Sequence, residues 1–557
     1  MFLALASVPH AYAWPQQYDP AHHWVLSTLA AALPLAVLLI ALIGLRAKAH
    51  VSALLALSSA LLIAIALFRM PLGLALLSTA FGAAYGLFPT FWIVFPVILL
   101  YQLTIRAGRL EILQRCLVDV TADSRLQLLL IAFSFGAFFE GAAGFGTPVA
   151  VCGSILIGLG FGPIEAAGLA LLANTAPVAF GGLGIPIIAL HGVTGLDTLL
   201  LARVISGLLA PFCVLVPFWL IWAYAGFRAM VEVWPAILVT GATFSITQLV
   251  VASIQGPALV DICASVASMA ALILFLRIWK PKRILNARRQ DVTHLPLGAR
   301  ASSRGELLRA SVPWLILTLL VSMWGAPTLA RGLDLISTIH IPVPGLDMAV
   351  LRMPPAVVAP AAESAIFTFN WLSATGTAIF IAALIAALAM GLGPRVIGRE
   401  FIRTVVSTRY TALTIAALMG FGFLIRFGGL DGTLGLAFAR TGVLYPFFGT
   451  LIGWIGTAST GSDTSSNVLF GSLQKLTAQQ LKISPYLMCA ANSGGGVMGK
   501  MIAPQSVVVA TTATNNYGKE GTILRFVFLH SIALACLMGV LVSIVSHWPR
   551  LTSLLLR

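Results

Sequence analysis

Charge is what this chain has least of. Aspartate and glutamate number 18 among 557 residues, and charged residues of both signs make up only 9%, against about 25% in a typical soluble domain. No water-facing surface can be built from so few, which excludes a soluble enzyme, a disordered chain and a secreted scaffold. Cysteine is scarce too. The six present, Cys116, Cys152, Cys213, Cys263, Cys489 and Cys536, are scattered, mostly within apolar segments, without CxxC or other metal spacing. They read as small buried apolar side chains. The histidines form no ligand cluster, so no metal and no cofactor is expected.

What is present is apolar. Hydrophobic residues reach 59% and the mean hydropathy is +0.98. A membrane-spanning helix needs about 20 apolar residues. Such runs lie near 24–45, 51–69, 84–105, 164–190, 204–225, 234–252, 258–279, 310–325, 372–392, 408–425, 481–510 and 525–547. The fold class expected is an all-α polytopic membrane protein with about 12 transmembrane helices, its partner the lipid bilayer. The division is an N-terminal extension over 1–23, a first membrane half over 24–279, a basic loop over 280–309 and a second membrane half over 310–557. The opening residues end in Ala11-Tyr12-Ala13, which suggests a signal peptide, but they lack a basic start and are read as an uncleaved extension.

The net charge of +15 is a membrane signature rather than a nucleic-acid one, because Lys and Arg crowd cytoplasmic loops. Lys280, Lys282, Arg283, Arg288, Arg289, Arg300, Arg304 and Arg309 share one loop with only Asp291 and Glu306. No nucleic acid is expected as a partner. The basic loops fall on one side if the N-terminus is outside and two further apolar stretches re-enter instead of crossing.

Those stretches, 126–160 and 443–478, are each interrupted by small and polar residues. The first carries Gly141-Ala142-Ala143-Gly144-Phe145-Gly146-Thr147-Pro148, the second Thr457-Ala458-Ser459-Thr460-Gly461-Ser462-Asp463-Thr464-Ser465-Ser466. Each reads as two half-helices joined by a non-helical tip, the first entering from the cytoplasm and the second from outside. That is the pattern of an inverted repeat. A shift of 317 residues lays Gly144 on Gly461 and Thr147 on Thr464; a shift of 318 lays Asn174 on Asn492, Gly181 on Gly499 and Pro186 on Pro504.

Broken backbone at membrane depth survives only where protein or a watery cavity satisfies it, so two such tips point to one central site. Proline suits a first helical turn, and Ser, Thr and Asp suit a cap. Helix starts at Thr147 and at Asp463, Thr464, Ser465 and Ser466 would offer N–H groups and partial positive charge to an anion. Ionisable residues inside apolar regions are candidates by rarity. Lys500, in the Gly-rich run from Asn492 through Pro504 to Gln505, either holds a carboxylate or pairs with Asp463 or Glu140. Asp463 either caps a helix, binds a cation or carries a proton; Glu140 either carries a proton or bonds nearby backbone. An ionised carboxylate would repel an anionic substrate, so protonation would favour binding. Arg426 is a second anion partner or a span end. Glu165, Arg203 and Asp261 read as interfacial, and so does His191. Lys500 is followed by Met501, which does not fit a phosphate loop.

Four runs carry a resemblance: Phe139-Glu140 through Thr147-Pro148, Ala173-Asn174 through Phe180, Gly461 through Asn467, and Gly499-Lys500 through Gln505-Ser506. Together they resemble the bacterial L-lactate permease family, over essentially the whole chain. The resemblance implies a proton-coupled symporter of the bacterial inner membrane that takes up lactate and related 2-hydroxymonocarboxylates such as glycolate. Its partners would be a small monocarboxylate and protons. The substrate would meet Thr147, Asn174, Thr464, Ser465, Ser466, Asn492, Lys500 and Gln505; Glu140 and Asp463 would couple the proton. The first dozen residues, and Thr368 and Asn370 where charged residues are expected, depart from the family pattern. A sodium-coupled carboxylate transporter, a channel and an intramembrane enzyme are the rival classes. No nucleophile–base constellation supports the last.

Overall fold

The computed structural model describes residues 13–556, apart from 42–44, 46, 110, 113–119, 143, 145, 288–303, 358, 515 and 517–518. Most of the expected N-terminal extension, and Arg288, Arg289, Arg300 and Cys116, lie outside the described residues.

The chain is helical almost throughout: α1 (Trp24–Leu39), α2 (Ala49–Ala66), α3 (Leu72–Tyr85), α4 (Trp92–Arg106), α5 (Ser124–Ala142), α6 (Thr147–Gly158), α7 (Pro163–Ala173), α8 (Gly181–Thr194), α9 (Thr198–Glu232), α10 (Trp234–Ile254), α11 (Val260–Ile278), α12 (Arg304–Gly325), α13 (Pro327–Ser337), α14 (Thr375–Ala389), α15 (Pro394–Gly428), α16 (Leu430–Ala439), α17 (Tyr445–Thr460), α18 (Asp463–Gln480), α19 (Pro485–Gly499), α20 (Pro504–Ala513), α21 (Glu520–His547) and α22 (Pro549–Leu556). Local chemistry sets many boundaries. Proline opens the first turn of α7, α15, α19 and α20, where its missing N–H costs nothing. Left-handed glycines close others: Gly195 after α8 and Gly461 after α17, a conformation a Cβ would oppose.

Among the described residues, seven helices are long and apolar enough to cross a membrane, or up to ten if each of three bent pairs is one span. By this measure the described residues do not reach the count of about 12 expected from the sequence, while the all-α polytopic class stands. The helices within 24–39, 49–66 and 375–389 are too short to qualify, and the expected span 481–510 is broken at Ala503 between α19 and α20. The span expected at 164–190 is likewise bent, by 65°. The region after α13 holds short strands that hydropathy does not reveal. β2 (Thr338–Pro342) pairs antiparallel with β5 (Ile366–Asn370), Ile339 facing Phe369. β1 (Trp14–Pro15) lies parallel to β3 (Val350–Arg352), which pairs with β4 (Ala361–Ala362).

One order of elements occurs twice. A 35-residue helical span (Leu72–Arg106, then Pro394–Gly428) is followed by a two-armed hairpin (α5–α6, then α17–α18), a broken helix (α7–α8, then α19–α20) and a long helix (α9, then α21). Both interrupted stretches are hairpins. Cys152 Sγ donates to the Ile131 carbonyl at 3.1 Å across the first. Gln474 Nε2 donates to the Gly449 carbonyl at 2.7 Å across the second. The buried apolar side chains form three clusters, and one member of each, Val178, Ile185 and Leu418, lines the central cavity.

Candidate functional site

The two hairpin tips meet at one cavity of about 340 Å³. The first tip turns through Gly144 (φ +60°) and Gly146 (φ +84°), and α6 then starts at Thr147 with Pro148 in its first turn and no side-chain cap. The second turns through Gly461 (φ +74°). Its cap is Ser462 rather than Asp463: Ser462 Oγ accepts from the Ser465 N–H at 3.3 Å, which leaves the Asp463 carboxylate free for other partners. Both tips rest on α20. A Cβ on Gly146 would stand 3.4 Å from Val509, and one on Gly461 would stand 2.8 Å from Gln505 Oε1.

Lys500 begins the short turn between α19 and α20 and is 9% exposed. Its ammonium reaches the C-terminus of α17, where a helix favours positive charge, and donates to the Gly461 carbonyl at 2.7 Å. Among the described residues it forms no ion pair with Glu140 or Asp463. An ammonium carries three donors, so two remain for a ligand.

The two acids are held differently. Glu140 Oε2 accepts from Asn174 Nδ2 at 3.1 Å, and Gly181 presses on it so closely that a Cβ there would stand 2.6 Å from Oε1. Asp463 accepts from Ser493 Oγ at 2.5 Å, Asn467 Nδ2 at 3.3 Å and Thr457 Oγ1 at 3.4 Å. A Cβ on Gly496 would collide with its Oδ1.

Of the residues singled out from sequence, Glu140, Asp463, Thr464, Ser465, Lys500 and Gln505 line the cavity. The others stand back from it. Thr147 is half-buried at the start of α6. Asn174 stands behind Glu140. Ser466 bonds the Gly453 carbonyl at 3.0 Å, and Asn492 donates to Asn467 Oδ1 at 2.9 Å while accepting from Gln474 at 3.2 Å. Ser466, Asn467 and Asn492 thus form a buried network under the second tip. Arg426 lies away from the cavity, bound to Glu363 at 2.9 Å.

The structure adds residues that the sequence reading passed over. His50 and Tyr410 stack at 4.6 Å and border the cavity with Thr411 and Thr414. Two hydroxyls three positions apart in an apolar helix were the available signal. Asp261, expected at an interface, is instead buried in the first turn of α11, at 1% exposure. Its position at a span boundary disguised it.

The family model for L-lactate permease matches residues 27–548. The chain belongs to the L-lactate permease family. Among its relatives, a glycolate permease of Escherichia coli K12 is 42% identical over 95% of this chain and 97% of the relative. An L-lactate permease of the same strain is 41% identical over 96% and 98%. That of Bacillus subtilis is 39% identical over 96% and 98%. The protein is thus a permease, not an enzyme, and a multi-pass protein of the bacterial inner membrane.

Proposed function

We propose that this permease imports L-lactate and related 2-hydroxymonocarboxylates, D-lactate and glycolate among them, by proton symport. The observation that carries the reading is the meeting of both hairpin tips at Lys500, whose ammonium is held by a tip carbonyl and, among the described residues, is ion-paired with no acid. The relatives named for glycolate and L-lactate give the substrate class.

A count of charges supplies the coupling. With Glu140 and Asp463 both ionised, the cavity carries two negative charges against one positive, and an anion is repelled. One proton balances it; a second makes it positive and attractive to a carboxylate. In a low-dielectric site such changes are worth several kcal/mol. The carboxylate would take the free donors of Lys500 and the N-terminus of α18. The 2-hydroxyl would find Thr464, Ser465 or Gln505. One proton with one monoanion is electroneutral, so a pH gradient drives accumulation unopposed by the membrane voltage.

The recurring order of elements supports an inverted repeat in which both hairpins re-enter, so that the site is reached from either side in turn. A second cavity of about 450 Å³ lies further along the same two helices, against Ile188, His191 and Gly192 of α8 and Phe423 and Arg426 of α15. The two cavities would be successive stations of one path.

The test is uptake of labelled L-lactate into proteoliposomes of the purified chain, with an inward proton gradient and no sodium. Accumulation that collapses with a protonophore, without an accompanying current, is the expected result. Uptake that ignores the proton gradient and requires sodium would replace this reading with sodium coupling.

A further inference from the structure

Behind the cavity lies a carboxylate for which the charge count finds no use. Asp261 is 1% exposed, and among the described residues neither of its carboxylate oxygens has a hydrogen-bond partner. Close packing fixes its place. A Cβ on Gly141 would stand 2.5 Å from the Asp261 Cβ, so α11 bears directly on the residue that follows Glu140.

The groups that touch its two electrostatic neighbours, Glu140 and Cys213, are also incompletely bonded. Among the described residues Asn174 Oδ1, on the amide that donates to Glu140, has no partner. Gln248 accepts from Cys213 Sγ at 3.3 Å, but its Nε2 has no partner among the described residues. The groups that face Asp261 electrostatically are Glu140 from α5 and Cys213 from α9; Lys500 acts on Glu140 from the cavity side. No cation on the described residues bonds Asp261.

An ionised carboxylate buried without partners costs several kcal/mol. A neutral acid there still wants an acceptor for its proton. Both costs fall if a single proton is shared between Asp261 and the neighbouring Glu140.

We propose that Asp261 is a proton station of this permease, exchanging one proton with Glu140 on the side away from the substrate. The O–H bond of the Glu140 acid breaks as that of Asp261 forms, Glu140 becomes the carboxylate, and no electrons change hands. The step lets Glu140 give up its proton without returning it to the cavity where the anion sits. It rests on the proton-symport reading above.

The test uses the full chain in proteoliposomes with two assays. One is exchange of labelled for unlabelled lactate at equal pH, which needs no net proton movement; the other is accumulation driven by a proton gradient. Asp261→Asn is expected to keep exchange and to lose accumulation down to parity across the membrane, with Asp261→Glu restoring it. The pH dependence of exchange should flatten in the asparagine variant. Accumulation equal to wild type in Asp261→Asn overturns the proposal. So does loss of both assays in Asp261→Asn and Asp261→Glu alike, which marks a packing role.

A second measurement needs no variant. Dicyclohexylcarbodiimide attacks protonated carboxyl groups in apolar sites, and peptide mapping of the treated wild-type chain should find its adduct on Asp261, in falling yield as pH rises. Absence of that adduct throughout the range overturns the proposal. Failure of the symport reading is separate: wild-type accumulation would then survive a protonophore.

Discussion

At the scale of single residues three ionisable side chains, Glu140, Asp463 and Lys500, line the cavity, and each can be removed on its own. Lys500→Ala deletes the cation while leaving the tip glycines in place. Loss of a charge-assisted hydrogen bond of about 1.5–3 kcal/mol weakens lactate binding about 10- to 100-fold, as titration calorimetry on the detergent-solubilised chain would register. Unchanged affinity would remove Lys500 from the site. Asp463→Asn mimics the protonated acid and can still accept from Ser493, bonded at 2.5 Å in the wild type. Wild-type affinity should fall as pH rises, because the ionised acid repels the anion; in the asparagine variant that dependence should shrink while binding persists. A profile identical to wild type would take Asp463 out of the coupling. That Glu140, Asp463 and Lys500 stand out could be read from the sequence, because a charge inside an apolar run has few innocent explanations; the structure places all three at one cavity. Asp261 was not. Hydropathy places it at the edge of a span, and only the packing of α11 on Gly141 reveals that the edge is buried.

At the scale of elements, the second hairpin is clamped by backbone contact rather than by side-chain bulk. A Cβ on Gly453 of α17 would collide with the Asn492 carbonyl of α19, and Cβ atoms on Gly495 and Gly499 would collide with the Thr450 and Trp454 carbonyls in return. Small residues let two helices approach this closely inside a membrane. Gly453→Ala or Gly495→Ala should therefore cost about 1–3 kcal/mol through overpacking and lower the thermal midpoint in detergent. A Cβ on Gly398, in α15, would meet nothing within 4 Å, and alanine there should stabilise by about 0.4–1 kcal/mol. Equal effects at the two kinds of site would refute the clamp. The tips themselves were readable, since the expected 126–160 and 443–478 lie within two residues of the observed hairpins. The paired strands β2 and β5 were not, because a Pro-rich, partly apolar segment carries no clean alternation to announce them.

At the scale of the whole molecule, the N-terminal segment and the stranded segment join to lock the end of α15. Glu363 is 8% exposed; it pairs with Arg352 of β3 and, at 2.9 Å, with Arg426. Gln16 Nε2 donates to the Arg426 and Phe427 carbonyls at 2.8 and 2.9 Å, and the Tyr18 hydroxyl accepts from the Met353 N–H at 3.2 Å. Residues some four hundred positions apart thus share one cluster, a closure that no local pattern announces, whereas the repeated order of elements could be read from matched glycines and prolines. The cluster has a predictable pH response. Burial alone would raise the Glu363 carboxyl, but Arg426 and Arg352 outweigh it and hold the group below the ordinary glutamate range. Its folded value is depressed, so the stability it lends is fully present above the unfolded value of about 4.3 and is lost as pH falls through the folded one. Tyr18, pushed up to about 12 by burial, stays neutral across that window and does not confuse the reading. Glu363→Gln should melt lower than wild type at neutral pH, by about 3 kcal/mol of stability for a broken buried pair. The gap should close on acidification, because both proteins then present a neutral side chain to the two arginines. A gap that stays constant down to the lowest pH at which the chain still folds would mean that the ion pairs contribute nothing to holding α15 in place.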